Sequence, residues 1–145
     1  MKYIPIREKM INNIFSIAAI HHIKGKEKRQ EVIFNLHNLI KKNGFLLVTV
    51  WRRWQKKLKK YFIIDKLKRS LNLKYLRRQN KMNLREFGDK YVSWTVSKEK
   101  RTYNRFYHFF SKKELKDLLK NYEIKEFKLT GGPTYKDNFF LLTQK

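Results

Sequence analysis

The chain has 145 residues, no Cys, and 36 Lys plus Arg against 12 Asp plus Glu, a net charge of +24. The length fits one domain rather than two, and the missing Cys excludes disulfides and thiolate metal sites. At 41% hydrophobic and 15% aromatic the chain is too apolar for a disordered basic tail, and no apolar run approaches the ~20 residues of a membrane span.

Residues 14–20 (IFSIAAI) form a continuous apolar run of strand length, predicted to be buried on both faces, and His21 and His22 end it. In 27–42 (EKRQEVIFNLHNLIKK) the apolar Val32, Ile33, Leu36, Leu39 and Ile40 recur at helical spacing, and Asn43-Gly44 is the expected close of that helix. Residues 45–51 (FLLVTVW) are a second buried strand. Strand, helix and strand with short links make a βαβ unit with parallel strands. Residues 52–85 hold fourteen basic residues and one acidic residue, Asp65, with Trp54, Leu58, Tyr61, Phe62, Leu67 and Leu71 near a helical stripe. They read as one or two basic amphipathic helices or a partly ordered insertion, with breaks expected at Asn72 and Asn80. Ser111 and Glu114 form a capping box, with Phe110 and Leu115 placed as a hydrophobic staple, which predicts a helix over 112–121. Residues 123–130 alternate as a strand, Gly131-Gly132-Pro133 is a turn, and 138–143 (NFFLLT) is a last buried strand, antiparallel to the one before it.

The charge points to a polyanionic partner. Abundant Lys, Asn, Ile and Phe also fit an AT-rich genome, which leaves the scarcity of acidic residues unexplained. The opening MKYIPIREKM carries charges where a signal peptide needs an apolar stretch, so a cytoplasmic protein is expected, with the nucleus also open and no membrane association.

Several segments carry a family resemblance. Ile4-Pro5 followed by Phe15-Ser16-Ile17-Ala18-Ala19-Ile20-His21-His22 resembles the L-P…S-I-A-x-I-H-H stretch of the tRNA wobble-uridine carboxymethyl methyltransferases. These are class I S-adenosylmethionine-dependent enzymes and include the methyltransferase domain of the AlkB-homologue fusion. Tyr91-Val92-Ser93-Trp94 resembles their x-V-P-W, Arg105-Phe106-Tyr107-His108-Phe109-Phe110 their R-[FY]-Y-H-x-F, and Asp137-Asn138-Phe139-Phe140 their D-N-W ending. The resemblance implies an α/β fold, the C-terminal half of a class I (Rossmann-like) methyltransferase. Its strands would be equivalent to 4-5-7-6 of that sheet, with a basic helical insertion. Residues 1–145 would be one partial domain with the insertion at about 52–90 and the N-terminal cofactor-binding half absent. None of the five Gly belongs to a G-x-G-x-x-G after a strand, and Asn12 stands where the family has Asp. The first strand would then be an exposed hydrophobic edge.

By resemblance, Ser16, Ile17, Ala18, His21 and His22 face the cofactor, S-adenosylmethionine, and Arg105, Tyr107 and His108 form the substrate mouth, where Arg holds a carboxylate or phosphate bidentately. Trp94 or Tyr107 stacks on a base. The same three mouth residues also fit an aromatic cluster supporting the sheet, and His21 or His22 a packed or capping histidine. No metal is implied. Arg52, Arg53, Lys56, Lys57, Arg77 and Arg78 are the candidates for the tRNA backbone. A solvated amphipathic helix and a membrane-surface helix are the other readings of that run. A small zinc-binding activator subunit is implied as a further partner. A non-catalytic RNA-binding remnant is the alternative to an enzyme.

Overall fold

The computed structural model describes residues 6–96 and 101–145, so Ile4-Pro5 lies outside the described residues. The frame is a four-stranded mixed sheet. Its strands are β1 (Ile11–Ile17), β2 (Ile40–Trp51), β5 (Glu123–Thr130) and β6 (Asn138–Gln144), in the order β1-β2-β6-β5. β1 and β2 run parallel, while β6 is antiparallel to both β2 and β5. This is the 4-5-7-6 arrangement implied by the family resemblance.

Helix α1 (Lys26–Leu39) links β1 to β2, and α4 (Lys112–Leu118) precedes β5. Both cover one face of the sheet. Ile33 of α1 and Leu115 of α4, with Leu119 just beyond it, pack on Leu46, Val48, Val50, Phe139 and Leu141 in one apolar core. Along the opposite face Phe45, Leu47 and Thr49 of β2 are only half-buried, which corrects the expectation of strands buried on both sides. β2 alternates buried with half-buried residues from Phe45 to Trp51, and on β1 Phe15 and Ile17 are 67% and 65% exposed. β1 is thus an exposed apolar edge, as anticipated.

Two boundaries move for physical reasons. β1 ends three residues earlier than expected. Ala18 turns into the left-handed region (φ 51), fastened by its amide to the Thr49 carbonyl (3.1 Å) and hydroxyl (3.0 Å), and Ile20–His22 then form a 3₁₀ turn. α1 ends at Leu39 because Ile40 is already extended and pairs with Ile11. Asn43, not Gly44, takes the left-handed conformation there (φ 64). Gly44 is required by close approach instead, since a Cβ would lie 2.5 Å from the Asn12 carbonyl oxygen and 2.6 Å from Ile40 Cγ2.

The basic run folds into two helices, α2 (Lys59–Leu71) and α3 (Leu73–Lys81). Asn72 separates them and caps α3 through the Tyr75 amide (2.9 Å), while Asn80 lies inside α3 rather than breaking it. Asp65, the lone acid of that run, is buried and accepts from Arg69 Nε (2.8 Å) and the Tyr75 hydroxyl (2.7 Å), which pins α2 to α3. The predicted capping box forms: Ser111 Oγ accepts from the Glu114 amide (3.2 Å) and Glu114 accepts from the Ser111 amide (3.3 Å). Helix α4 is three residues shorter than predicted.

One element was not foreseen. β3 (Asp89–Val96) and β4 (Arg101–His108) form a separate antiparallel ribbon. Phe62, Tyr107 and Phe109, with Trp51, Leu58, Phe87 and Val92 around them, make a second core that holds α2 and the ribbon against the end of β2.

Candidate functional site

The 3₁₀ turn after β1 places both histidines at the carboxyl ends of β1 and β2, where open α/β sheets take their ligands. Tyr107 of β4 is the hub. Its buried ring stacks on Trp51 at 4.3 Å with planes 10° apart, and lies 4.4 Å from His22 and 5.1 Å from His21.

His21 is buried and accepts from the Trp51 amide through Nδ1 (3.4 Å). Burial first, then the neighbouring His22 and His108, pulls its pKa down to about 3, so it stays neutral. His22 is exposed and donates from Nδ1 to the Phe106 carbonyl (2.9 Å), which fixes the ring and leaves Nε2 for a ligand. Ser16 is buried, whereas Ile17 and Ala18 are exposed at the open end of β1. These five residues and Tyr107 therefore converge on one end of the sheet. Trp51 belongs with them; its signal in the sequence was its place as the last residue of an apolar strand.

Arg105 lies two residues from Tyr107 on the same ribbon face, exposed, with its guanidinium 4.6 Å over the Trp94 ring.

His108 lies elsewhere, which corrects its placement at the mouth. It is fully buried and donates from Nδ1 to Asp89 and from Nε2 to Glu114, both at 2.7 Å. Two carboxylate acceptors require both ring nitrogens protonated. Burial opposes that charge, but the hydrogen bonds His108 donates to Asp89 and Glu114 outweigh it and raise the pKa above the usual histidine value. Glu114 in turn is held at about 2: burial pushes it up, and the His108 hydrogen bond and charge and the Arg53 charge more than reverse this.

Arg53 is likewise removed from the tRNA candidates. It is buried, donating to Glu114 (2.7 Å) and the Phe109 carbonyl (3.0 Å) and lying 4.4 Å over Phe87. Gly88 makes room for it, since a Cβ there would sit 2.6 Å from Arg53 Nη2. Arg29 pairs with Glu86 beside this group, so three cations face three carboxylates. Glu86, His108 and Glu114 bring ligand-type atoms within 4.8 Å of one another, but each is already committed to one of these pairs. The network is an internal clamp joining α1, the ribbon and α4.

Of the remaining basic candidates, Lys56, Lys57, Arg77 and Arg78 are exposed, and Arg52 is half-buried with its Nε lacking a partner among the described residues. No helix among the described residues is long and apolar enough to cross a membrane.

The backbone identifies the fold. A methyltransferase of the S-adenosylmethionine-dependent class from Methanosarcina mazei superposes on 99% of this chain with a TM-score of 0.69 at 17% identity. The fold is that of a class I methyltransferase. A second methyltransferase, the Burkholderia thailandensis 1,6-didemethyltoxoflavin-N1-methyltransferase solved with S-adenosylhomocysteine, matches 95% of the chain with a TM-score of 0.56 at 12% identity. The chain spans 63% and 45% of these two methyltransferases. In sequence, the chain is similar to a tRNA (carboxymethyluridine(34)-5-O)-methyltransferase from Arabidopsis thaliana, 38% identical over 48 residues, which are 33% of this chain and 12% of the plant protein. No family model matches the chain.

Proposed function

We propose that this chain is the acceptor-facing part of a tRNA methyltransferase that esterifies the carboxylate of a wobble carboxymethyluridine, with residues 1–145 forming a partial methyltransferase domain. The observation that carries the reading is the convergence of His21, His22, Trp51 and Tyr107 at the carboxyl ends of β1 and β2, beside the exposed Arg105. The similarity to the Arabidopsis enzyme supports the substrate class.

The cofactor fits the chain only in part. Ser16, Ile17 and Ala18 end the strand that would form one wall for S-adenosylmethionine. No glycine-rich loop of that kind occurs within residues 1–145. When bound, that cofactor supplies the methyl group; this chain's residues hold the acceptor. A carboxylate is ionised at neutral pH and needs no general base. Arg105 pairs with it in a bidentate fork, and Tyr107 with Trp51 limits where the base can lie. The exposed Lys56, Lys57, Arg77 and Arg78 are assigned to the tRNA backbone, and a zinc-binding activator remains a proposed partner on resemblance.

The exposed Lys56, Lys57, Arg77 and Arg78 also fit one second reading, a non-catalytic RNA-binding remnant of such an enzyme. Mass spectrometry of wobble nucleosides from cells lacking the chain separates the two. The enzyme reading predicts that the free acid accumulates and the methyl ester disappears; an unchanged methyl ester overturns it.

A further inference from the structure

Helix α2 has two opposite sides, and folding uses only one of them. At about 100° per residue, the inner side carries Phe62, Asp65 and Arg69, which are engaged in the second core and in the link to α3. The outer side carries Ile63, Ile64, Leu67 and Leu71, which are 44%, 40%, 54% and 83% exposed. A surface helix ordinarily turns charged residues to water on that side. Here the charges border the aliphatic stripe instead. Lys59 and Lys66 lie along one flank, Lys68 along the other, and Lys60 heads the midline, all of them exposed. None of these four joins an ion pair among the described residues. The one acid between Glu31 and Glu86 is Asp65, which is buried. The stripe is therefore an aliphatic surface ringed by uncompensated positive charge.

We propose that the outer side of α2 docks an amphipathic helix of an acidic partner protein. That helix lays aliphatic side chains on Ile63, Ile64, Leu67 and Leu71 and sets carboxylates against Lys60 and the flanking lysines. Ile64, Leu67 and Leu71 stand at i, i+3 and i+7, the spacing by which one helix face anchors in a partner's groove. From Ile63 to Leu71 the stripe runs ~12 Å, about two turns of a partner helix. Charge complementarity selects this occupant over three others. A second copy of the chain would bring two rings of lysines together. RNA would find phosphate contacts on the lysines, but the aliphatic stripe offers no ring for a base to stack on. A bilayer would have to take in Lys60 on the midline, and no Trp or Tyr marks the stripe for the headgroup level. The docking goes beyond the methyltransferase reading and uses none of the residues assigned there to the acceptor or to the tRNA backbone.

The test is fluorescence anisotropy with the full chain. The probes are a labelled synthetic helical peptide with a leucine stripe flanked by glutamates, and the same peptide with glutamine in place of each glutamate. The native chain is expected to bind the acidic peptide saturably and the glutamine peptide more weakly. Leu67→Ser combined with Leu71→Ser should weaken the acidic peptide by about tenfold or more. Lys60→Gln should weaken it a few-fold and flatten its dependence on salt. Phe34→Ser, at an exposed residue of α1, should have no effect. Both leucines are exposed, so circular dichroism should show unchanged melting; Leu71→Ser alone, at the most exposed position, serves if the double variant unfolds. No binding of the acidic peptide, or equal binding by the native and serine variants, overturns the docking. It is also overturned if the serine variants keep the peptide but lose phosphatidylserine vesicles, which makes the stripe a membrane contact. A dimer of the native chain that the serine variants lose, seen by light scattering, overturns it in favour of a second copy. Each of these results leaves the methyltransferase reading to its own test on wobble nucleosides.

Discussion

Glu114→Gln removes one charge from the buried clamp and preserves the shape of the capping box. In the native protein that carboxylate accepts from His108, Arg53 and the Ser111 amide. Its pKa is displaced from 4.5 to about 2, which corresponds to ~3 kcal/mol of stability at neutral pH. Breaking one partner out of a buried pair gives a similar ~3–5 kcal/mol, because Arg53 is left uncompensated. At ~3 °C per kcal/mol for a chain of this size, the melting temperature should fall by about 10 °C near pH 7. The sign with pH is also set. A lowered carboxylate pKa contributes stability above about 4.5 that is lost as pH falls toward 2. The variant should therefore show a shallower acid limb than the native chain. Thermal unfolding followed by circular dichroism across pH measures both effects, with Glu123→Gln as control, since the Lys125–Glu123 pair is exposed. A drop no larger than the control's at neutral pH would refute the clamp.

Three other outcomes are expected. His108→Gln should abolish a basic limb. A histidine with a raised pKa stabilises below its unfolded value near 6.5 and loses that contribution as pH rises through the folded value, so native stability should fall on the alkaline side and the variant's should not. Gly44→Ala should destabilise by ~1–3 kcal/mol, read as a lower urea midpoint, because the new Cβ meets the Asn12 carbonyl oxygen at 2.5 Å. Arg105→Ala, exposed on the ribbon, should lose tRNA modification in cells with its melting temperature unchanged; unfolding would show Arg105 to be a structural residue.

The sheet was legible because its signals are local. The apolar run before His21, the alternation of 123–130 and the Ser111–Glu114 box each depend on neighbours within a few residues. The end of β1 was misplaced because Ala18 takes a left-handed turn held by Thr49, a residue 31 positions away. The β3–β4 ribbon was hidden by aromatics on both faces, which erase a period of two. The clamp was illegible for a similar reason. His108 finds its partners 19 positions back and 6 forward, and Arg53 stands in a basic run with nothing local to mark it as buried. At the site, His21, His22, Arg105 and Tyr107 were found through the family resemblance, whereas Trp51 needed the stacked geometry to be recognised.

The central proposal is that residues 1–145 carry the acceptor side of a class I methyltransferase and only part of its cofactor site. Calorimetric titration of the 145-residue chain with S-adenosylhomocysteine tests it directly. No saturable heat is expected for the chain alone. One-to-one binding in the micromolar range would contradict it, because the residues described here would then build the cradle themselves.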